Sequence, residues 1–232
     1  MDLGLRYQRV TAEVKAVCQR LRRDPQEVRV IAVSKTVGPP LIEAAIGAGF
    51  RDFGENRPEA LFARQAQFPQ VAWHFIGNVQ SRRIPGIVSA ATLIHSLYQS
   101  RHLAAVEKAA SGLGKVQGLL IEVNVSGEAS KGGVAPDDLN ALFEEALRCP
   151  HIQVRGLMTM APQGDSARAR ECFKETASLL ADLRKRFPQY GGLQGLRELS
   201  MGMSEDWREA LVEGATMIRI GRAVFDDGFE GR

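Results

Sequence analysis

The sequence is short of the features that mark secreted, membrane-spanning and disulfide-rich proteins. Its three cysteines are odd in number and share no CxxC spacing, so we expect reduced thiols rather than a disulfide framework. The amino terminus lacks the apolar core of a signal peptide, and no apolar run is long enough to span a membrane. The sequence therefore predicts a cytoplasmic protein without a membrane partner.

The sequence also lacks a large excess of either charge, because the formal net charge is only +3. Basic clusters such as Arg82-Arg83 and Arg184-Lys185-Arg186 are scattered, and no aromatic stacking platform accompanies them. Solvated helix faces explain them better than a nucleic-acid surface. The four histidines and the scattered carboxylates show no metal-ligand spacing. We therefore predict neither a nucleic-acid partner nor a metal site.

What the sequence has is a regular alternation of strand and helix patterns. Its 232 residues, 44% hydrophobic and 25% charged, suit one globular domain. After an amino-terminal helix (residues 1–27) we predict eight strands, each followed by a helix, over residues 28–225. The predicted strands are Val28–Thr36, Arg51–Glu55, Val71–Ile76, Thr92–Leu97, Gln117–Val125, Ile152–Met160, Leu196–Ser200 and Thr216–Gly221.

This alternation predicts an α/β protein with a parallel sheet, and eight units of about 25 residues favour a single (β/α)8 TIM barrel over residues 1–232. An open doubly wound sheet is the alternative, but its GxGxxG fingerprint is absent after the first strand. Functional groups of a barrel lie at the carboxyl ends of its strands.

Lys35 closes the first strand, whose residues Ile31 and Val33 share its face. It could simply extend to solvent. Alternatively it is a partly desolvated amine whose neutral form attacks an aldehyde to give a Schiff base. The strand alone does not decide between these.

The loops after strands seven and eight suggest a phosphate site, since barrels often bind phosphate there. The first, SMGMSED, contains Gly202 and Ser204, a natural cap for a helix that we expect at Ser204–Glu213. The second, RIGRA, contains Gly221. Arg219 should face the barrel mouth, where it binds a ligand or pairs with Glu198 or Glu122. His74, in the third strand, is as consistent with a core histidine as with a catalytic one.

Six ordered motifs and the single residue Gln80 give the chain a family resemblance. They are AVSKT (32–36), FGEN (53–56), WHFIG (73–77) with Gln80, GLMTMAP (156–162), LSMGMS (199–204) and RIGRAVF (219–225). Over nearly its whole length the chain resembles the YggS/PROSC family of pyridoxal phosphate (PLP) homeostasis proteins, which is similar to the barrel domain of alanine racemase, a fold-type III PLP protein.

The resemblance implies a set of site residues. Lys35 would form the Schiff base, and Arg219 would lie near the pyridine nitrogen. Ser200, Ser204 and the backbone at Gly221 and Arg222 would hold the phosphate. Asn56, His74 and Met160 would line the pocket, and Lys131 matches a loop lysine near it. The chain departs from the family at Arg57–Ala60, Arg82-Arg83 and Asp226.

The implied function is that of a PLP carrier in vitamin B6 and amino-acid homeostasis, without catalytic turnover. PLP-dependent apo-enzymes would be its partners, and we expect a monomer. An amino-acid racemase is the alternative, but racemisation needs a base on each face of the substrate. The tyrosines, Tyr7, Tyr98 and Tyr190, do not lie at predicted strand ends, and we expect no further domain after the eighth strand.

Overall fold

The barrel closes through eight parallel strands. The computed structural model describes residues 2–128, 131–190 and 195–229, and its strands pair in chain order, with β1 against β8. This closure confirms the predicted TIM barrel and rules out an open sheet. The strands are β1 (Arg29–Val33), β2 (Asp52–Glu55), β3 (Ala72–Phe75), β4 (Leu93–Leu97), β5 (Gln117–Glu122), β6 (Ile152–Met158), β7 (Glu198–Met203) and β8 (Met217–Ile220).

Helices follow the strands around the outside, and one helix precedes β1. Those of the described residues are α1 (Leu3–Arg20), α2 (Pro39–Ala48), α3 (Pro58–Gln67), α4 (Ile84–Ala90), α5 (Leu103–Gly112), α6 (Leu139–Ala146), α7 (Ser166–Arg186), α8 (Trp207–Val212) and α9 (Arg222–Phe225). Short 3-10 helices occupy Pro25–Glu27, Ser81–Arg83, Ser100–His102, Pro136–Asp138 and Pro188–Tyr190. None of the helices in the described ranges is long and apolar enough to cross a membrane.

Two apolar layers hold the barrel together. A large outer cluster packs the helices against the outward faces of the strands, and it includes Ala32 and Phe53. A small inner cluster fills the barrel, with Ile31, Leu120 and Met217 among its members. Neighbouring residues of β1 therefore face opposite layers, as the alternation predicts.

Several predicted boundaries are wrong. The strand β1 ends at Val33, so Lys35 lies in the following turn. The helix expected from Ser204 begins only at Trp207. The sequence also predicts a short polar helix near Gln80–Pro85, but the structure has a 3-10 turn at Ser81–Arg83 that leads into α4. Pro85 lies in the first turn of α4, where proline is tolerated. A glycine-rich connection is predicted over Tyr190–Gly195, and its residues 191–194 lie outside the described ranges.

Candidate functional site

A cavity of about 1220 Å³ opens at the carboxyl ends of the strands, where the topology of the barrel brings distant segments together. Seven of the nine predicted site residues border it, and the other two, His74 and Ser200, do not. The seven are Lys35, Asn56, Met160, Ser204, Arg219, Gly221 and Arg222.

Lys35 lies at the rim of this cavity in the turn between Ser34 and Val37, which is closed by a 3.1 Å hydrogen bond from Val37 N to Ser34 O. The lysine is exposed, so of the two alternatives the structure agrees with the side chain that extends to solvent and not with the partly desolvated amine. The reason is that β1 ends two residues before Lys35 and the turn carries the side chain beyond the apolar layer. The exposed amine is open to a carbonyl compound that enters from solvent.

Arg64 of α3 holds this turn from both ends. Its guanidinium donates hydrogen bonds of 2.6 Å to the carbonyl oxygens of both Ser34 and Val37. It also forms an ion pair with the fully buried Glu55, which accepts a 2.7 Å hydrogen bond from the Ser34 hydroxyl. Burial lowers the pKa of Arg64. The backbone on both sides of Lys35 is thus fixed to the end of β2.

The loop after β7 presents Ser204 to the cavity. Asp206, rather than Ser204, precedes the first turn of α8, and its carboxylate accepts a 2.5 Å hydrogen bond from Met203 N. The Ser204 hydroxyl donates to no other described residue, so it is available to a ligand. Gly202 has a φ of 89°, and a Cβ there would lie 2.6 Å from the Cβ of Ala210. The close approach of α8 to this loop therefore requires glycine.

The loop after β8 adds backbone donors. Within the described ranges, the N–H groups of Gly221 and Arg222 have no backbone acceptor. A Cβ at Gly221 would lie 3.3 Å from the carbonyl oxygen of Val33, so glycine keeps this edge of the cavity open. The Arg222 side chain pairs with Glu205 at 2.8 Å. Serine hydroxyl and free N–H groups together make a site suited to a small anion.

Arg219 forms the buried, positively charged floor of the cavity and is 4% exposed. It donates to Ser200 Oγ at 2.6 Å and to the carbonyl oxygen of Thr159 at 3.0 Å. The alternative that it pairs with Glu198 or Glu122 is not found among the described ion pairs. Burial lowers the pKa of Arg219 to about 10, opposed by the charges of Asp206 and Glu122, so the guanidinium remains protonated at neutral pH.

Two carboxyl groups near Arg219 are themselves shifted by burial. The pKa of Glu122 rises to about 7 because burial outweighs the attraction of Arg219. The pKa of Asp206 is raised, again chiefly by burial, against the hydrogen bond from Met203 N and the charge of Arg219. The field around Arg219 is therefore less negative than the number of carboxyl groups suggests.

His74 and Ser200 lie deeper, inside the barrel, and both are buried. His74 Nε2 is 3.1 Å from Asp52 Oδ1, and Ser200 Oγ is bonded to Arg219 and to His95. The prediction that they contact the ligand directly lacks support from this geometry, because each precedes the carboxyl end of its strand and points into the interior.

Other sequence candidates also lie away from the cavity. Lys131 does not border it, and its Nζ lies 3.3 Å from Glu128 Oε1. None of the three tyrosines borders it either. No cluster of metal-ligating side chains occurs in the part of the chain that is described. The cysteines Cys18, Cys149 and Cys172 are free thiols whose pKa values are raised, chiefly by burial.

Arg64, Glu55 and His95 were not among the predicted site residues. Glu55 lies inside the FGEN motif, at the end of β2. His95 lies in the largely apolar strand β4, and its sequence neighbours do not indicate a distant polar partner. An acidic residue at the end of a buried strand, as at Glu55, is the one signal that could have indicated a buried pair.

Comparison with known proteins gives consistent matches. The family model for the alanine racemase N-terminal domain matches residues 6–227. A pyridoxal phosphate homeostasis protein of Aquifex aeolicus is 35% identical over 230 residues, covering 98% of this chain and 99% of that one. Another, from Pseudomonas aeruginosa, is 38% identical over 221 residues, or 94% and 92% of the two chains.

Among solved structures, PipY of Synechococcus elongatus with PLP bound has a TM-score of 0.80 and 34% identity. The match covers 91% of this chain and 99% of PipY.

Proposed function

The chain belongs to the family of pyridoxal phosphate homeostasis proteins, as the motifs predicted, and from this membership we propose that it is a PLP carrier. It would hold PLP reversibly and take part in vitamin B6 and amino-acid homeostasis. The observation that carries the proposal is one cavity bordered by the exposed amine of Lys35, the buried guanidinium of Arg219 and hydroxyl and N–H groups that can donate hydrogen bonds to an anion.

Lys35 would hold the aldehyde group. PLP would supply the aldehyde, and the Lys35 amine would hold it as a Schiff base with the release of water. The exposure of Lys35 and the hold of Arg64 on the turn support this role. An amine in a fixed turn at a cavity rim meets a bound aldehyde with little loss of conformational freedom.

Ser204 and the backbone N–H groups of Gly221 and Arg222 would hold the phosphate. Ser204 does not cap α8, which leaves its hydroxyl free for the ligand. Asn56 and Met160 border the same cavity and would contact the ring. Such a donor set fits the PLP phosphate, because hydroxyl and N–H donors form strong hydrogen bonds with an anion.

Arg219 supports a carrier rather than an enzyme. Arginine donates hydrogen bonds and stays protonated, so at the pyridine nitrogen it would keep that nitrogen unprotonated. PLP is then a weak electron sink, poorly suited to stabilising a carbanion. No tyrosine borders the cavity to serve as the second base of a racemase. The group bound here would supply a reactive aldehyde, and the protein would limit its release.

The proposal also covers domain organisation, oligomeric state, location and partners. We propose a single PLP-binding domain, acting as a monomer in the cytoplasm, where free thiols are stable. Apo-enzymes that require PLP would receive it.

The test compares the absorption spectrum of the purified wild-type protein, supplied with PLP, with that of Lys35→Ala. Lys108→Ala, an exposed lysine on α5, is the matched control. We expect a Schiff-base band in the wild type and the control, and none in Lys35→Ala. Borohydride reduction and peptide mass analysis should place the label on Lys35. A wild type without a band, or a label elsewhere, contradicts the proposal.

The same samples separate carrier from racemase. We expect no inversion of amino acids and no exchange of the Cα hydrogen with deuterium oxide. Exchange that disappears in Lys35→Ala would favour the racemase instead.

A further inference from the structure

Five polar side chains form a continuous chain of hydrogen bonds through the barrel interior. Asp52 Oδ1 is 3.1 Å from His74 Nε2, and His74 Nδ1 is 2.9 Å from His95 Nε2. His95 Nδ1 is 2.8 Å from Ser200 Oγ, which is 2.6 Å from an N–H nitrogen of Arg219. The chain thus runs from the amino-terminal end of β2 to the floor of the cavity.

Arg219 and Asp52, at the two ends of this chain, determine which atom is the donor in each of its hydrogen bonds. Arg219 can only donate, so Ser200 Oγ accepts from it. The single hydroxyl hydrogen of Ser200 is then available to His95 Nδ1. If His95 Nδ1 accepts, the proton of a neutral His95 is on Nε2 and is donated to His74 Nδ1.

His74 in turn carries its proton on Nε2 and donates it to the carboxylate of Asp52. Every donor and acceptor that faces along the chain is then used once, with both imidazoles neutral. Burial of His95, reinforced by the charges of Arg219 and Arg29, lowers its pKa well below 6.5 and so favours the neutral ring.

The opposite direction is less favourable. With a proton on His95 Nδ1, Ser200 Oγ would accept from both His95 and Arg219, and the hydroxyl hydrogen of Ser200 would lose its acceptor in the chain. His95 Nε2 would then accept from His74 Nδ1, and only a cationic His74 could still donate to Asp52. That arrangement places an additional positive charge on a buried imidazole, whereas the first leaves both imidazoles neutral.

We propose that Ser200 and His95 are positioning residues that hold Arg219 as a donor toward the cavity, in a chain whose protons all point from Arg219 to Asp52. The inference rests on the proposed function, because PLP is the ligand that Arg219 would meet. Ser200 holds one arm of the guanidinium and the carbonyl oxygen of Thr159 holds the other. One anchor lies on β7 and the other directly after β6, and together they fix the plane of the group.

The direction of the protons can be measured without PLP. In the ligand-free protein labelled with 15N-histidine, we expect NMR to show a neutral His95 with its proton on Nε2 and an unprotonated Nδ1. A proton on Nδ1, or a doubly protonated His95 at neutral pH, overturns the proposal. This measurement needs no variant and remains informative if the protein does not bind PLP.

The positioning role is tested by PLP titration of Ser200→Ala, Ser200→Thr and Ser96→Ala. Ser96 is a matched control, because it is buried and donates to the carbonyl oxygen of Gly77 but is not part of the chain. Loss of one hydrogen bond to a charged group should weaken PLP binding by Ser200→Ala about tenfold. It should also shift the spectrum of bound PLP, which reports the surroundings of its ring.

Ser200→Thr keeps the hydroxyl and should restore both affinity and spectrum, and Ser96→Ala should match the wild type. If Ser200→Ala binds PLP with wild-type affinity and spectrum, the positioning role is wrong although the carrier function stands. If the wild type binds no PLP, the proposed function is wrong, and the NMR result still decides the direction of the chain.

Discussion

Glu122 should make the protein less stable as the pH rises, and the substitution Glu122→Gln isolates this effect. The carboxyl group lies at the end of β5, 4% exposed. A Cβ on Gly132 would lie 3.4 Å from one of its oxygens, so the loop after β5 covers it. Burial raises its pKa from 4.5 to about 7. Between about pH 4.5 and pH 7, the folded protein therefore keeps a proton on Glu122 that the unfolded chain has lost.

The magnitude follows from this pKa difference of about 2.5. At about 1.4 kcal/mol for each pKa unit, ionised Glu122 costs the folded state about 3.5 kcal/mol. Because the folded pKa is the higher one, its stabilising contribution is complete below 4.5 and is lost as the pH rises through 7. Glutamine has nearly the same shape and does not titrate. The variant should exceed the wild type by only about 1 kcal/mol at about pH 5 and by about 3.5 kcal/mol at about pH 8.

The assay is reversible urea unfolding of the ligand-free proteins at about pH 5 and about pH 8, followed by tryptophan fluorescence. The difference between variant and wild type at each pH cancels the contributions of other titrating groups. Glu43→Gln, at an exposed glutamate on α2, is the control and should show no pH-dependent difference. The reasoning is refuted if Glu122→Gln differs from the wild type by the same amount at both pH values.

Three further predictions concern the supports of the site. Gly77→Ala should lower the free energy of unfolding by about 1–3 kcal/mol in thermal unfolding, because the new Cβ would lie 2.0 Å from a backbone carbonyl oxygen of the loop after β2. The control Gly47→Ala should not lower it, because a Cβ there has no atom within 4 Å. Arg64→Met should cost about 3–5 kcal/mol in urea unfolding by leaving Glu55 buried and unpaired, and adding Glu55→Gln should recover part of the loss. The depressed pKa of His95 predicts that stability falls as the pH drops below about 6.5; unfolding of His95→Gln should show a smaller fall.

The barrel could be predicted from the sequence because the residues that begin and end its helices act locally. Its prolines and Gly49 predict a helix from Pro39 to about Ala48, and α2 has these bounds; Pro58 likewise predicts the start of α3. The boundary after β7 failed for the opposite reason. Gly202 adopts a positive φ inside the strand and lets it run to Met203, whereas Ser204 looked like a helix cap. A serine before a helical pattern does not reveal whether its hydroxyl is used locally.

The cavity residues were predictable because parallel strands of a barrel all end at the same face. A polar group just after a strand, such as Lys35 or Asn56, is placed at the cavity without knowledge of its partners. The supports were not predictable in this way. Arg64 bonds to Ser34 across 30 residues, and His95 bonds to Ser200 across 105 residues. Such pairs depend on the register between strands and on which helix lies over which turn, and the periodicity of one segment contains neither.

The two cations of the site differ in a way that suits reversible binding. Lys35 is exposed at the rim, whereas Arg219 is buried on the floor between two hydrogen-bonded anchors. A ligand held by both would make its non-covalent contacts with the rigidly anchored Arg219. Its covalent bond would lie at Lys35, which is exposed to water. Hydrolysis of that bond would then need no opening of the barrel. Release would be governed by the contacts at Ser204 and Arg219, so substitutions there should change the lifetime of bound PLP more than substitutions around the Lys35 turn that keep the amine in place.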